Sequence, residues 1–212
     1  MLSNKIFLIT GIADNHSLAM YTAKEIIKQG GKVICTGLGV SEHHKGLSEK
    51  AKIFLTKNFE DFKNAVSEEI EEAQVEILDV TIDENIESFA RNLSQRNIKL
   101  DGMLHAIAMD KTIRNKEVKP LIDVTKDEFC DTMDVSAYSL IRLIHYLLKH
   151  NVLERGSSIC SLSYIAAEKV TFHPYRNISI AKAALERISV ELADELGRSH
   201  DIRVNVIRFS PY

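Results

Sequence analysis

Ile6-Phe7-Leu8-Ile9-Thr10-Gly11-Ile12-Ala13-Asp14-Asn15-His16-Ser17-Leu18-Ala19 opens with four apolar residues in a row, the pattern of a strand buried on both faces. Gly11 supplies a turn, and Ala19, Ala23, Ile26 and Ile27 then recur at helical spacing until Gly30-Gly31 stops the helix. Strand, glycine turn and helix in this order can receive a pyrophosphate on free backbone N–H groups at a helix start. The G-x-G-x-x-G form of that turn is absent. Gly11 is instead followed, after a gap of five residues, by Ser17, whose hydroxyl could replace a backbone donor to phosphate or serve only as a helix cap.

Working outward, strand and helix patterns alternate. Lys32–Thr36 predicts a second strand, ending in Gly37-Leu38-Gly39, with neither acid nor base at its end; His43, His44 and Lys45 follow later. The polar stretch from Val40 to Gln74 predicts one amphipathic helix over Phe59–Glu72, with Glu68, Glu69, Glu71 and Glu72 on a solvated face rather than around a metal. Further strands are expected at Val75–Leu78, Met103–Ala108, Ser158–Leu162 and Ile202–Ile207, and helices at Ile86–Leu93, Asp127–His150 and Tyr175–Gly197. This alternation predicts an α/β fold, a Rossmann-like doubly wound parallel sheet with helices on both faces, because parallel neighbours need helical crossovers. No linker or repeat interrupts it, so residues 1–212 read as a single domain.

Composition narrows the classes. The 212 residues carry 27 basic and 30 acidic side chains, a formal charge of −3, and nothing in that balance steers the chain to nucleic acid. No apolar run reaches the roughly 18 residues of a membrane span. Cys35, Cys130 and Cys160 are widely separated and make no C-x-x-C pair, which argues against structural zinc and for reduced thiols in a cytoplasmic protein. Tyr175 and Lys182 stand seven residues apart, two turns along one helical face. There they could form a phenol activated by an ammonium, or a packed core aromatic and an ordinary solvated lysine.

With these pieces in order, the sequence resembles the short-chain dehydrogenase/reductase superfamily and, within it, the bacterial NADH-dependent enoyl-acyl-carrier-protein reductases. The resemblance rests on Gly11-x5-Ser17-x-Ala19, Asp79-Val80, His105-Ala-Ile-Ala108, Asp134-Val-Ser-Ala-Tyr-Ser139, Ser163-Tyr164, Tyr175-x6-Lys182-Ala and Ile202-Arg-Val-Asn205. Its specific feature is Tyr-x6-Lys; ordinary members use Tyr-x3-Lys, and here Ile178 holds the tyrosine's usual place. The resemblance implies that Tyr175 stabilises an enolate, Lys182 holds the nicotinamide ribose, and Tyr164 lines the pocket beside the substrate. Gly11, Ile12, Ser17, Leu18, Asp79, Val80, Ala106, Ile107 and Ala108 are implied around an NADH cofactor, with Asp79 alternatively a solvated strand-end carboxylate.

The implied substrate is an enoyl thioester of acyl carrier protein or coenzyme A, and the implied assembly a homotetramer or dimer built on the two long helices. A 3-oxoacyl or carbonyl reductase, and a cofactor-binding homologue without turnover, are the alternative readings. Relatives continue after Asn205 into a substrate-covering helix pair and a last strand; this sequence stops at Ser210-Pro211-Tyr212, so the C-terminal part is expected to be truncated.

Overall fold

Side chains that alternate between the two faces of the first strand divide the hydrophobic interior into two halves. A computed structural model describes residues 1–114, 117–172 and 175–209, and its first strand, β1, spans Ile6–Thr10. Ile6 and Leu8 point into one half of the core, Phe7 and Ile9 into the other. Helix α1 (Leu18–Lys28), strand β2 (Lys32–Gly37), helix α2 (Glu49–Glu69) and strand β3 (Gln74–Ile77) follow. Then come α3 (Asp83–Gln95), β4 (Leu100–His105), a short antiparallel pair β5 (Ile113–Arg114) and β6 (Glu117–Val118), and α4 (Lys126–Met133). Helix α5 (Ser139–Lys149), strand β7 (Leu153–Tyr164), helix α6 (Arg176–His200) and strand β8 (Arg203–Phe209) complete the chain.

The main sheet has the order β3-β2-β1-β4-β7-β8, and all its pairings are parallel. This is the doubly wound, Rossmann-like arrangement that the alternation predicts. One face buries Leu8, Met103 and Ile159 with Ile86 and Leu93 of α3, Leu140, Leu143 and Leu147 of α5, and Leu185 of α6. The other buries Ile9, Val33 and Cys35 against Met20 and Ala23 of α1 and Phe62 and Val66 of α2. The order of strands reverses between β1 and β4, and the carboxyl ends beside that switch point form the crevice where such folds take their ligands.

Four departures from expectation bear on the site. Helix α2 begins at Glu49 rather than Phe59, capped by the Ser48 hydroxyl; the Lys- and Glu-rich composition of residues 49–58 hides the helix, because only Leu55 there is buried. Strand β4 stops at His105, so Ala106, Ile107 and Ala108 lie in the loop beyond it. The expected helix 127–150 is two helices joined by a π-helical turn, Asp134–Tyr138. Tyr175 is the N-cap of α6, with φ −77° and ψ 61°, and not part of it. Residues 173 and 174, before Tyr175, and the Ser210-Pro211-Tyr212 end lie outside the described residues.

Candidate active site

Gly11 starts the crevice. Its φ of +77° belongs to the left-handed region, and a Cβ there would collide with the Ala106 carbonyl. Only glycine lets the exit from β1 pass so closely over the loop after β4. Next, Ser17 caps α1: its Oγ accepts from the Met20 N–H at 3.3 Å and donates to the Asp14 carbonyl at 2.9 Å. The hydroxyl is therefore committed to the turn, and Leu18 is the first helical residue, half-exposed.

A groove of about 460 Å³ runs along the strand ends. Gly11, Ile12, Asp79, Val80, Ile107 and Ala108 are brought together on its lining, joined by Leu38, Asn58 and Lys111; Ser17, Leu18 and Ala106 do not line it. Asp79 is no solvated strand-end carboxylate. Its Oδ1 accepts from the Thr81 N–H at 2.8 Å and the Thr81 hydroxyl at 2.6 Å, and its Oδ2 lies 3.1 Å from His44 Nε2. The Ser41 N–H donates to His44 Nδ1 at 3.1 Å, so the ring hydrogen sits on Nε2 and is donated to Asp79. His44 thus pins the carboxylate at the groove, a role invisible in sequence because the partners lie far apart along the chain.

Beyond β4 and β7 a second cavity, of about 310 Å³, is lined by Tyr164, Tyr175, Ile178, Lys182, Met109 and Phe209, among others. Burial pushes the Lys182 ammonium down to about 8. Its Nζ donates to the Ile107 carbonyl at 3.1 Å and the Leu162 carbonyl at 2.9 Å, which leaves one of its three hydrogens for the cavity. The two tyrosine rings meet edge to face, 5.9 Å between centroids. Ser179 gives its hydroxyl hydrogen to the Tyr175 carbonyl, so Tyr164 donates its own to Ser179 Oγ at 2.9 Å. Burial also raises the Tyr164 phenol above its ordinary value. Tyr164 is thereby held neutral against the first turn of α6, its ring edge-to-face with that of Tyr175.

Other residues set this geometry without an obvious sequence signal. Asp110 Oδ2 accepts from the Ile178 N–H at 3.1 Å, satisfying a free amide at the start of α6 from across the cavity. Its Oδ1 takes the N–H and hydroxyl of Thr112 at 2.8 and 2.6 Å. The Asp-x-Thr spacing, shared with Asp79-x-Thr81, was the local signature available. Ser136, on the π-helical turn, accepts from the Met109 N–H at 2.9 Å and donates to the Met109 carbonyl at 3.1 Å, clamping the loop that separates groove and cavity. Fully buried His105 is pushed down to about 3 by desolvation and then by the nearby Lys182 charge. It donates from Nε2 to Ser139 Oγ at 2.8 Å, because that hydroxyl's own hydrogen goes to the Val135 carbonyl at 2.6 Å.

A glycine turn at a switch point, a groove along the strand ends and a Tyr–Lys pair at its far side define a dinucleotide-dependent reductase of the short-chain type. Comparison with known proteins specifies it further. The family model described as enoyl-(acyl carrier protein) reductase matches residues 45–212. The curated enoyl-[acyl-carrier-protein] reductase [NADH] FabI of Buchnera aphidicola subsp. Baizongia pistaciae is 32% identical over 99% of this chain and 72% of its own length; its Aquifex aeolicus counterpart is 33% identical over 100% and 70%. Among solved structures, the FabI–NADH complex from Alistipes finegoldii superposes with a TM-score of 0.81 at 26% identity, covering 99% of this chain and 68% of that one. The chain belongs to the enoyl-(acyl carrier protein) reductase family.

Proposed function

We propose that the protein reduces the trans-2 double bond of an enoyl thioester carried on acyl carrier protein, in fatty-acid biosynthesis, with NADH as reductant. The observation that carries the reading is Tyr175 and Lys182 on one cavity beside the strand-end groove, at the Tyr-x6-Lys spacing. The groove suits a dinucleotide: glycine at the close approach, an apolar lining of Ile12, Val80 and Ile107, and an anchored carboxylate at Asp79. NADH, when bound, supplies the hydride that reaches the β-carbon of the substrate.

As that carbon gains the hydride, the double-bond electrons move to the α-carbon and the thioester oxygen, which becomes an enolate; a proton at the α-carbon completes the saturated product. A donor is needed at that oxygen and not at the carbon receiving hydride. Tyr175 fills this role, presented at the helix start where the backbone places its ring at the cavity rather than inside α6. Lys182 holds the nicotinamide ribose and adds positive charge from its buried station. Tyr164 shapes the substrate side and supports Tyr175 through Ser179. Gly11, Ile12, Asp79, Val80, Ile107 and Ala108 of the groove lining surround the cofactor, and Ser17, Leu18 and Ala106, off that lining, are assigned to it on the family resemblance alone.

Residues 1–212 form one dinucleotide-binding reductase domain, and the protein works in the cytoplasm as a homotetramer, or a dimer. Support comes from three free cysteines, from the absence among the described residues of a helix long and apolar enough to cross a membrane, and from exposed Phe129, Tyr138 and Val190 on the α4–α5 and α6 faces. The test is a paired measurement of NADH affinity and turnover. Tyr175→Phe should lower turnover roughly 10²–10³-fold with NADH affinity nearly unchanged. Lys182→Ala should weaken NADH binding itself. If both variants keep wild-type turnover and affinity, Tyr175 is a packing aromatic and the assignment is wrong.

A further inference from the structure

Dinucleotide folds place an acid at the end of the second strand to accept the ribose hydroxyls, and here the strand ends in glycine. The packing explains why. A Cβ on Gly37 would run into the ring of Phe62, and one on Gly39 would come 2.9 Å from Phe59 Cβ. Both phenylalanines belong to α2, which lies so close over the end of β2 that no side chain fits at positions 37 and 39. The helix excludes an acid from both glycine positions, and position 38 between them carries a leucine.

That helix carries acids of its own. Asn58, Asp61, Ala65 and Glu68 recur at helical spacing on one face of α2. This face lines a space of about 530 Å³, opposite the Ile12–Asn15 turn and next to Gly37 and Leu38. Ile12, Gly37, Leu38 and Asn58 also line the groove that holds Asp79, so the two spaces adjoin at the end of β2. Asn58 Nδ2 donates to the Leu38 carbonyl at 3.0 Å and fixes the helix to the strand end. Asp61 stands one turn further on. The charged side chains of the lining are Asp14, Asp61 and Glu68, with no lysine or arginine among them. His43 and Lys45 line neither space, and His44 is turned to Asp79.

Resting on the reading of the chain as an NADH-dependent reductase, we infer that Asp61 of α2, with Glu68 behind it, is the carboxylate that selects the cofactor. It accepts the 2′-hydroxyl of the adenosine ribose and repels the 2′-phosphate of NADPH. The long segment between β2 and β3 thereby acquires a role: it closes the strand end and returns the missing acid from the side.

Fluorescence titration of NADH and of NADPH, which requires no turnover, tests this on the wild type, Asp61→Asn, Asp61→Asn/Glu68→Gln and the charge-keeping Asp61→Glu. The wild type should prefer NADH. Neutralisation should narrow the ratio of the two dissociation constants by roughly tenfold, chiefly by tighter NADPH binding, and Asp61→Glu should keep most of the preference. Because the effect is one of charge at an exposed site, the wild-type ratio should also narrow as salt is raised, which a packing role would not produce. A ratio equal in wild type and neutralised variants, or a wild type that prefers NADPH, overturns the inference while leaving the dinucleotide reading standing. A wild type that binds neither nucleotide overturns both.

Discussion

Lys182 shows how one buried side chain sets a pH range. Two carbonyls hold its ammonium, yet desolvation brings it down from 10.5 to about 8. The cation is present below that value and lost above it, so kcat/KM should fall as pH rises through about 8 in the free enzyme. Lys182→Arg keeps its charge and should remove that alkaline limb whatever it does to the maximum rate; a limb unchanged in the variant would assign it to another group. Folding stability moves oppositely. Between about 8 and 10.5 the unfolded chain binds the proton that the native lysine has released, so this group's contribution rises with pH there. At this scale the sequence names Tyr175, Lys182 and Tyr164 but not the atoms that aim them. Ser179, Asp110 and His44 act through contacts 15, 68 and 35 residues away along the chain, and a single sequence carries no local trace of such pairs.

At the scale of elements, the joint between β4 and α5 is closed by His105 and Ser139 in the dry interior. The imidazole's depression to about 3 means that, as pH falls from 6.5, the unfolded chain takes up a proton the native chain refuses. This stabilisation is present above 6.5 and drains towards pH 3, by about 2 kcal/mol at pH 5. His105→Gln, which keeps a donor but does not titrate, should flatten the acid side of a urea-midpoint profile measured between pH 7 and 4; an equally steep profile would remove His105 from the account. Strands β1 and β2 and helix α1 were legible because unbroken apolar runs and period 3.6 speak for themselves. Helix α2 was half legible: Phe62 and Val66 are buried after Phe59, while its first ten residues, with Leu55 alone buried, lie on a solvated surface. The π-helical turn left no periodic mark, since one widened turn shifts the phase of the helix without changing its composition.

On the scale of the whole molecule, the parallel sheet places its carboxyl edge, the glycine turn and the Tyr–Lys cavity on one side, while Phe129, Tyr138 and Val190 remain exposed on helices elsewhere. Burying such residues between copies related by a two-fold axis satisfies both partners at once. Sedimentation at micromolar concentration should therefore give the mass of a dimer or tetramer, and a monomer mass would contradict the assembly. The order of the motifs made the global topology the most readable level, because parallel neighbours leave few ways to connect six alternating units. The role of the segment between β2 and β3 was unreadable, since it depends on how closely α2 approaches Gly37. Which bond is reduced is read most directly by following NADH oxidation with crotonyl and acetoacetyl thioesters side by side. The crotonyl thioester should turn over, with little or no turnover of the acetoacetyl compound; turnover of the acetoacetyl thioester alone would make the protein a carbonyl reductase and overturn the assignment.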